Sequence, residues 1–174
     1  IIKYRIGYCE SGEYSGKIII PSYDAEGQLN YFVSRAFYKS DTQKHKNPKI
    51  SKDIIGFDLF INWSQPIILC EGSFDAIAIK RNAIPLFGKT ITQSLMMKLV
   101  ESEVKTIYLA LDKDALKEAL DYSQNLINLG KEVYLIELEG KDPSELGFDN
   151  MTKLLHNAKP LSFSDLLLKK IQLI

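Results

Sequence analysis

The sequence predicts an α/β protein: a parallel sheet with flanking helices, preceded by a small strand-rich (α+β) subdomain. Three observations carry that prediction. After Pro66, short apolar runs alternate with helical patterns, as strands joined by crossover helices do. Before Ser64, runs of branched and aromatic residues are separated by turn residues, as in antiparallel hairpins. The two patterns meet at Ser64-Gln65-Pro66. The expected organisation is therefore a strand-rich part over 1–64, the parallel sheet over 65–147, and a C-terminal helical segment over 148–174.

In the first part, Gly16–Pro21 and Leu29–Arg35 are β-type runs, and Tyr23–Gln28 supplies the turn between them. Phe37-Tyr38 is the expected extension of the second strand, and Ile6–Cys9 is either a further strand or an entry segment. The composition then changes. Lys39, Lys44, His45, Lys46, Lys49 and Lys52 face a single acid, Asp41, before Asp53. Clustered lysines attract a nucleic-acid backbone, although such runs are also common in solvated loops. Asn47-Pro48 gives this loop a fixed turn. Ile54–Trp63 is apolar and fits a strand or a short helix; Trp63 either stacks on a base or packs between the two halves of the chain.

From Pro66 the order is β-α-β-α-β-α-β. Strand Ile67–Cys70 leads to a helix near Ser73–Arg81, then to strand Ile84–Phe87 and a helix near Thr92–Ser102 with Leu95, Met96, Leu99 and Val100 at core spacing. Strand Thr106–Leu111 is followed by a helix near Ala115–Leu129 that Gly130 stops. Glu132–Leu138 is the last strand of the set, and Pro143 can begin a helix. Further helices fall near Asn150–Asn157 and Ser162–Leu173. Phe87-Gly88-Lys89-Thr90 is not a Walker loop, because Ala83 stands where the first glycine is required. Lys89 is still available to a phosphate there.

Lys+Arg and Asp+Glu both number 22, so no global field marks a polyanion-coating protein, while a local basic groove is allowed. Cys9 and Cys70 are far apart and match no zinc spacing, which fits reduced thiols in a cytoplasmic protein. No apolar run reaches membrane-spanning length and no signal peptide is evident, so no membrane partner is expected.

Chemistry concentrates where strands end. Glu71 follows the first strand of the parallel set, with Asp75 one turn into the next helix; Asp112 and Asp114 follow the third, and Asp142 follows the fourth. In open α/β sheets functional groups collect beyond the carboxyl ends of the strands. Carboxylates crowded there repel one another unless a cation neutralises them, and hard cations such as magnesium want such oxygens.

Glu71-Gly72-Ser73-Phe74-Asp75-Ala76, Asp112-Lys113-Asp114 and Lys141-Asp142-Pro143, in this order and spacing, resemble the TOPRIM domain of topoisomerases, primases and some nucleases. Within that group the chain resembles a DnaG-type bacterial or phage DNA primase over roughly residues 1–147. Gly16–Pro21, Asp24–Gly27 and Ser34-Arg35-Ala36 are similar to the primase segment upstream of TOPRIM. Lys46-Asn47-Pro48-Lys49 with Gly56-Phe57-Asp58 resembles its basic loop and strand, and Leu86–Thr90 its Gly-x-Thr turn.

The resemblance implies a DNA primase (a DNA-directed RNA polymerase) that makes short RNA primers on single-stranded DNA from nucleoside triphosphates, in a bacterial cell or a phage-infected host. It implies that Glu71, Asp112 and Asp114 are catalytic and hold magnesium (Mg2+) or manganese (Mn2+), with Asp75 and Asp142 supporting a second ion or orienting the first set. Arg35, Lys44, Lys46, Asn47, Lys49 and Lys89 would contact template or nucleotide. A replicative helicase is the expected protein partner, and the opening at Ile1 rather than Met fits a piece of a larger primase. The chain departs from the family pattern at Lys113, where glycine is usual, at Ala115-Leu116-Lys117, and at Ser144, where an acid is common. A TOPRIM nuclease and a non-catalytic primase-like module that holds DNA or a helicase are the alternatives; a topoisomerase lacks room for its tyrosine-bearing domain.

Overall fold

Two sheets divide the chain in the computed structural model, which describes residues 2–138 and 142–173. The first is antiparallel, in the order β1-β2-β3, from β1 (Gly7–Cys9), β2 (Lys17–Tyr23) and β3 (Leu29–Ala36). The second is parallel and built from β4 (Ile67–Cys70), β5 (Ala83–Pro85), β6 (Thr106–Ala110) and β7 (Glu132–Leu135), in the order β5-β4-β6-β7. Helices α1 (Ser73–Ile79), α2 (Gln93–Glu101), α3 (Leu116–Asn128), α4 (Pro143–Asn157) and α5 (Phe163–Ile171) complete the chain. This is the expected α/β architecture, with the strand-rich subdomain ahead of the parallel sheet.

Side-chain alternation along β4 assigns the two faces of the parallel sheet. Ile67 and Leu69 join Ile84, Leu95, Leu99, Ile107, Leu109 and Leu126 in a core under α2 and α3. Ile68 and Cys70 point the other way, to Ala76, Ile79 and Met151 of α1 and α4. Ile20, Tyr31 and Val33 of the antiparallel sheet belong to this second cluster, so the two sheets share one core. The connecting segment is locked into it: the Phe57 amide donates to Ser22 Oγ at 3.0 Å. A Cβ on Gly56 would sit 2.2 Å from the Pro85 carbonyl oxygen, so only glycine lets the segment pass so close to β5.

Several element expectations change. Residues 54–63 form neither strand nor α-helix but a 3-10 turn at Asp58–Phe60, and Trp63 packs on the α2 face while donating to Asp58 Oδ1 at 2.9 Å. Phe37-Tyr38 do not extend β3; the Phe37 amide bonds the Gly16 carbonyl and the chain then turns, with Asp41 N–H on the Tyr38 carbonyl. Strand β5 ends at Pro85, and the Leu86 amide makes the last bond of its ladder, to the Cys70 carbonyl of β4. Strand β7 ends at Leu135, and the helix expected from Asn150 begins at Pro143 and bends at Gly147. Val100 is 48% exposed, whereas Leu95 and Leu99 are buried. Both cysteines are free thiols, with Cys70 buried.

Candidate active site

Strands β4 and β6 are hydrogen-bonded neighbours in register, Cys70 opposite Ala110. Parallel neighbours end on the same edge, so the next residues of each strand meet there. The Asp112 amide donates to Glu71 Oε1 at 3.1 Å and fixes that carboxylate. After Asp112 the chain enters a 3-10 turn, Lys113–Ala115, closed by Ala115 N–H on the Asp112 carbonyl, which carries Asp114 round beside the other two. Carboxylate oxygens of Glu71, Asp112 and Asp114 lie within 4.8 Å of one another.

The electrostatics follow from this crowding. Burial pushes the Glu71 carboxyl above its ordinary range, the Asp112 amide opposes that, and the charges of Asp112 and Asp114 add to it. Burial, then Asp142, then Asp114, likewise raise Asp112. Asp114 goes the other way, because Lys89 Nζ donates to its Oδ2 at 2.5 Å and holds it low. Lys89 arrives on the chain leaving β5, where Gly88 N–H bonds the Glu71 carbonyl at 3.3 Å and Lys52 Nζ bonds the Phe87 carbonyl at 2.7 Å. Three oxygen donors of this kind suit a hard divalent cation. A lysine ammonium already placed against one of them marks the same point as attractive to positive charge.

Asp75 and Asp142 adjoin the cluster in a different way. Asp75 accepts the Gly72 amide on Oδ2 at 2.9 Å and the Ser144 amide on Oδ1 at 3.2 Å. It thereby clamps the turn after β4 to the start of α4. A Cβ on Gly72 would stand 2.9 Å from Asp75 Oδ2, so a larger residue there would displace this carboxylate. Burial pushes Asp75 up to about 6 against the pull of the Gly72 amide, with Asp142 adding to the rise. Asp142 caps α4, accepting from the Glu145 amide at 2.8 Å and the Ser144 hydroxyl at 2.7 Å. Its motif neighbour Lys141 lies outside the described residues.

Of the basic candidates, Arg35 is exposed on β3 with its guanidinium 5.1 Å from the Phe74 ring, so it stands beside the turn that carries Glu71. The basic loop is zipped onto β3. Ala36 N–H bonds the Lys44 carbonyl at 2.9 Å, Lys46 N–H bonds the Ser34 carbonyl at 3.3 Å, and His45 bridges Arg35. Asn47 Oδ1 accepts the Ser34 amide at 3.2 Å, and Ser34 Oγ donates to the Lys46 carbonyl. Lys46 Nζ is turned to the Glu13 carbonyl and carboxylate, and Lys44 and Lys49 are exposed. The structure therefore gathers Glu71, Asp112, Asp114 and Lys89 at one point and seats Arg35 on Phe74, three residues after Glu71. Lys44, Lys46 and Asn47 lie along β3 of the antiparallel sheet, with Lys49 beyond them in the loop.

Three contributors escaped the sequence reading. Phe74 seats Arg35, and Lys52 pins the turn that presents Lys89. Lys17 is buried, donating to Asp41 Oδ2 and the Gln43 carbonyl, both at 2.5 Å, and so anchors the basic loop. A lone lysine within the apolar run Gly16–Pro21 was the available signal for the last. Lys113, by contrast, makes no ion pair among the described residues. It lines a cavity of about 780 Å³ with Leu111, Leu116 and Leu138.

Solved structures share this fold. The catalytic domain of DnaG primase bound to single-stranded DNA superposes with a TM-score of 0.74 at 19% identity, covering 95% of this chain and 59% of that one. The zinc-binding and RNA polymerase domains of the Aquifex aeolicus primase give 0.70 at 23%, covering 87% and 42%. The E. coli primase catalytic core gives 0.70 at 17%, covering 95% and 60%. The fold is that of a DnaG-type primase core.

No family model matches the chain. In sequence it is similar to the uncharacterised protein MG010 of Mycoplasma genitalium, 29% identical over 117 residues, covering 63% of this chain and 52% of that protein. The Mycoplasma pneumoniae homologue of MG010 is 30% identical over 129 residues, covering 68% and 61%. A DNA primase of Thermotoga maritima is 23% identical over 175 residues, covering 86% and 30%. The chain thus spans a little over half the length of the two mycoplasma proteins and less than a third of the Thermotoga primase. Among the described residues no helix is long and apolar enough to cross a membrane.

Proposed function

We propose that this DnaG-type fold is the catalytic core of a DNA primase, a nucleotidyltransferase that joins ribonucleotides into short RNA primers on single-stranded DNA. The observation that carries this reading is the convergence of Glu71, Asp112 and Asp114 within 4.8 Å at the carboxyl edge of the parallel sheet. Magnesium or manganese held by these three carboxylates would supply Lewis-acid stabilisation of charge during phosphoryl transfer.

The chain's own groups prepare that site. The Asp112 amide orients Glu71. Asp75, through its two amide bonds, holds the turn after β4 in register with the start of α4, and Asp142 fixes that helix end and supports the acidic set. Lys89, freed from Asp114, offers its ammonium to a nucleotide phosphate. Arg35 with Lys44, Lys46 and Lys49 binds the phosphates of template or nucleotide, while Asn47 keeps their loop on β3. The partners are a single-stranded template, nucleoside triphosphates and a replicative helicase, with no membrane involved and the cytoplasm of a bacterial cell or phage-infected host as the setting.

The test is incorporation of labelled ribonucleotides on single-stranded DNA with magnesium or manganese, with Glu71→Gln alongside. Incorporation by the wild-type chain that vanishes in the variant is the expected result. Metal-dependent cleavage of DNA without incorporation would overturn the reading in favour of a nuclease.

A further inference from the structure

The antiparallel sheet carries exposed aromatic rings that its own core does not use. Tyr8, Phe37 and Tyr38 are 46%, 57% and 59% exposed. Phe37 meets Tyr8 edge-on at 5.5 Å and Tyr38 edge-on at 5.0 Å, so the rings form one connected cluster. With Ile6, Gly7 and Ile18 they line a shallow trough of about 440 Å³.

Strand register places this trough relative to the acids. Tyr8 pairs with Ile18, Ile18 with Arg35, and Arg35 bridges His45, so these side chains share one face of the sheet. It is the face whose inner rows, Ile20 and Val33, pack into the core shared with the parallel sheet. The row therefore runs from the trough through Arg35 to Phe74, at the turn that carries Glu71.

The surrounding charge is positive. Two acids of the region are already engaged, Asp41 by Lys17 and Glu13 by Lys46. Arg35 and Lys39 make no ion pair among the described residues and are exposed, with Glu10 the remaining acid near Tyr8. Exposed rings beside unpaired cations are what single-stranded nucleic acid recognises: bases stack on the rings while the backbone meets the charges.

We propose that the Tyr8–Phe37–Tyr38 trough, flanked by Arg35 and Lys39, is a stacking platform for single-stranded DNA that leads the template toward the acidic edge. The proposal rests on the template-binding part of the primase reading and names where that strand lies. Phe37 bonds Gly16 at the end of the β2–β3 pairing and Tyr38 opens the turn that follows, and both rings are exposed there.

Binding of a labelled oligodeoxythymidylate of about 12 nucleotides, followed by fluorescence anisotropy in EDTA, tests this without engaging the catalytic acids. The double variant Phe37→Ala/Tyr38→Ala is expected to bind about tenfold more weakly or worse, with an unchanged salt slope, and Phe37→Trp to retain affinity. Lys39→Ala should instead make the salt slope shallower. All these residues are exposed, and an unchanged circular dichroism spectrum verifies folding. Wild-type affinity in the aromatic variant overturns the platform, as does a wild-type chain that binds no oligonucleotide. A dimer in sedimentation that Phe37→Ala dissolves also overturns it, in favour of a second copy as the occupant. Weakened binding in the aromatic variant alongside absent incorporation by the wild-type chain would fail the primase reading and leave the platform standing.

Discussion

At the edge of the parallel sheet, backbone register alone brings Glu71 and Asp112 together, and one short turn adds Asp114. On the antiparallel sheet, the lysines around Asn47 are placed by a short backbone pairing with β3 that side-chain bonds of Asn47 and Ser34 and a buried Lys17 hold in place. The first region gathers like charges and stays poised for a cation. The second spends its polar groups on holding a loop in place and leaves selected cations exposed. Chemistry located by register should tolerate side-chain changes structurally while losing function, whereas a surface located by side-chain bonds should lose shape first.

The largest expected effect tests the first half of that contrast. Asp112→Ala and Asp114→Ala should each lower ribonucleotide incorporation by about 100-fold or more, the scale on which removal of one electrostatic stabiliser acts. Asp112→Ala should unfold no earlier than the wild type, since it removes a member of a mutually repelling set, and Asp114→Ala should differ little, since the Lys89 pair it loses is solvent-exposed. Incorporation that survives both changes would break the assignment, and a large loss of stability would break the claim that register alone forms the site.

Asn47→Ala tests the other half. The Ser34 amide would lose its acceptor inside a packed strand, at a cost of about 1–2 kcal/mol in chemical denaturation. DNA affinity should fall along with it, because the loop carrying Lys44 and Lys46 loosens from β3. An unchanged midpoint would show that Lys17, Ser34 Oγ and the backbone bonds of Lys44 and Lys46 hold the loop without Asn47.

These two outcomes also mark what the sequence made legible. Glu71 and Asp112 could be read because apolar runs ending in acid are a local pattern, and parallel alternation implies a common edge. The role of Asp75 could be read only in part. Its bond to the Gly72 amide is a three-residue helix-start pattern, but its bond to the Ser144 amide joins positions 69 residues apart. Arg35 on Phe74 and Lys17 on Asp41 depend in the same way on how distant segments pack. Phe37-Tyr38 has strand composition, yet it forms the turn after β3, because a β-type dipeptide does not reveal where the ladder stops.

Acidity should separate the two regions as well. Asp75 is raised to about 6, so the folded state favours its neutral form; its contribution is fully present below the ordinary carboxylate value near 3.8 and is lost as pH rises toward about 6. Asp41, held low first by the Lys17 hydrogen bond, does the reverse: its contribution is present above 3.8 and is lost as pH falls through its lowered value. Carboxyl titration by nuclear magnetic resonance in EDTA should find Asp75 near 6 and Asp41 below 3.8. Two ordinary values would erase the difference between a buried carboxyl at the acidic edge and a paired anchor.

The smallest effect concerns Lys89, which belongs to neither pattern. Its ammonium occupies Asp114 at 2.5 Å, where a cation on the three carboxylates would also need an oxygen. Lys89 and a divalent ion therefore compete for Asp114, and Lys89→Ala should tighten manganese binding. Since the pair is solvent-exposed, the gain should be only about two- to fivefold, measured by paramagnetic titration of the free ion. If Lys89 also meets a nucleotide phosphate once displaced, the same variant should bind the metal more tightly yet require more nucleoside triphosphate for half-maximal incorporation. Tighter metal binding with an unchanged nucleotide requirement would reduce Lys89 to a placeholder. Weaker metal binding would mean that its contact orders Asp114 for the ion instead of shielding it.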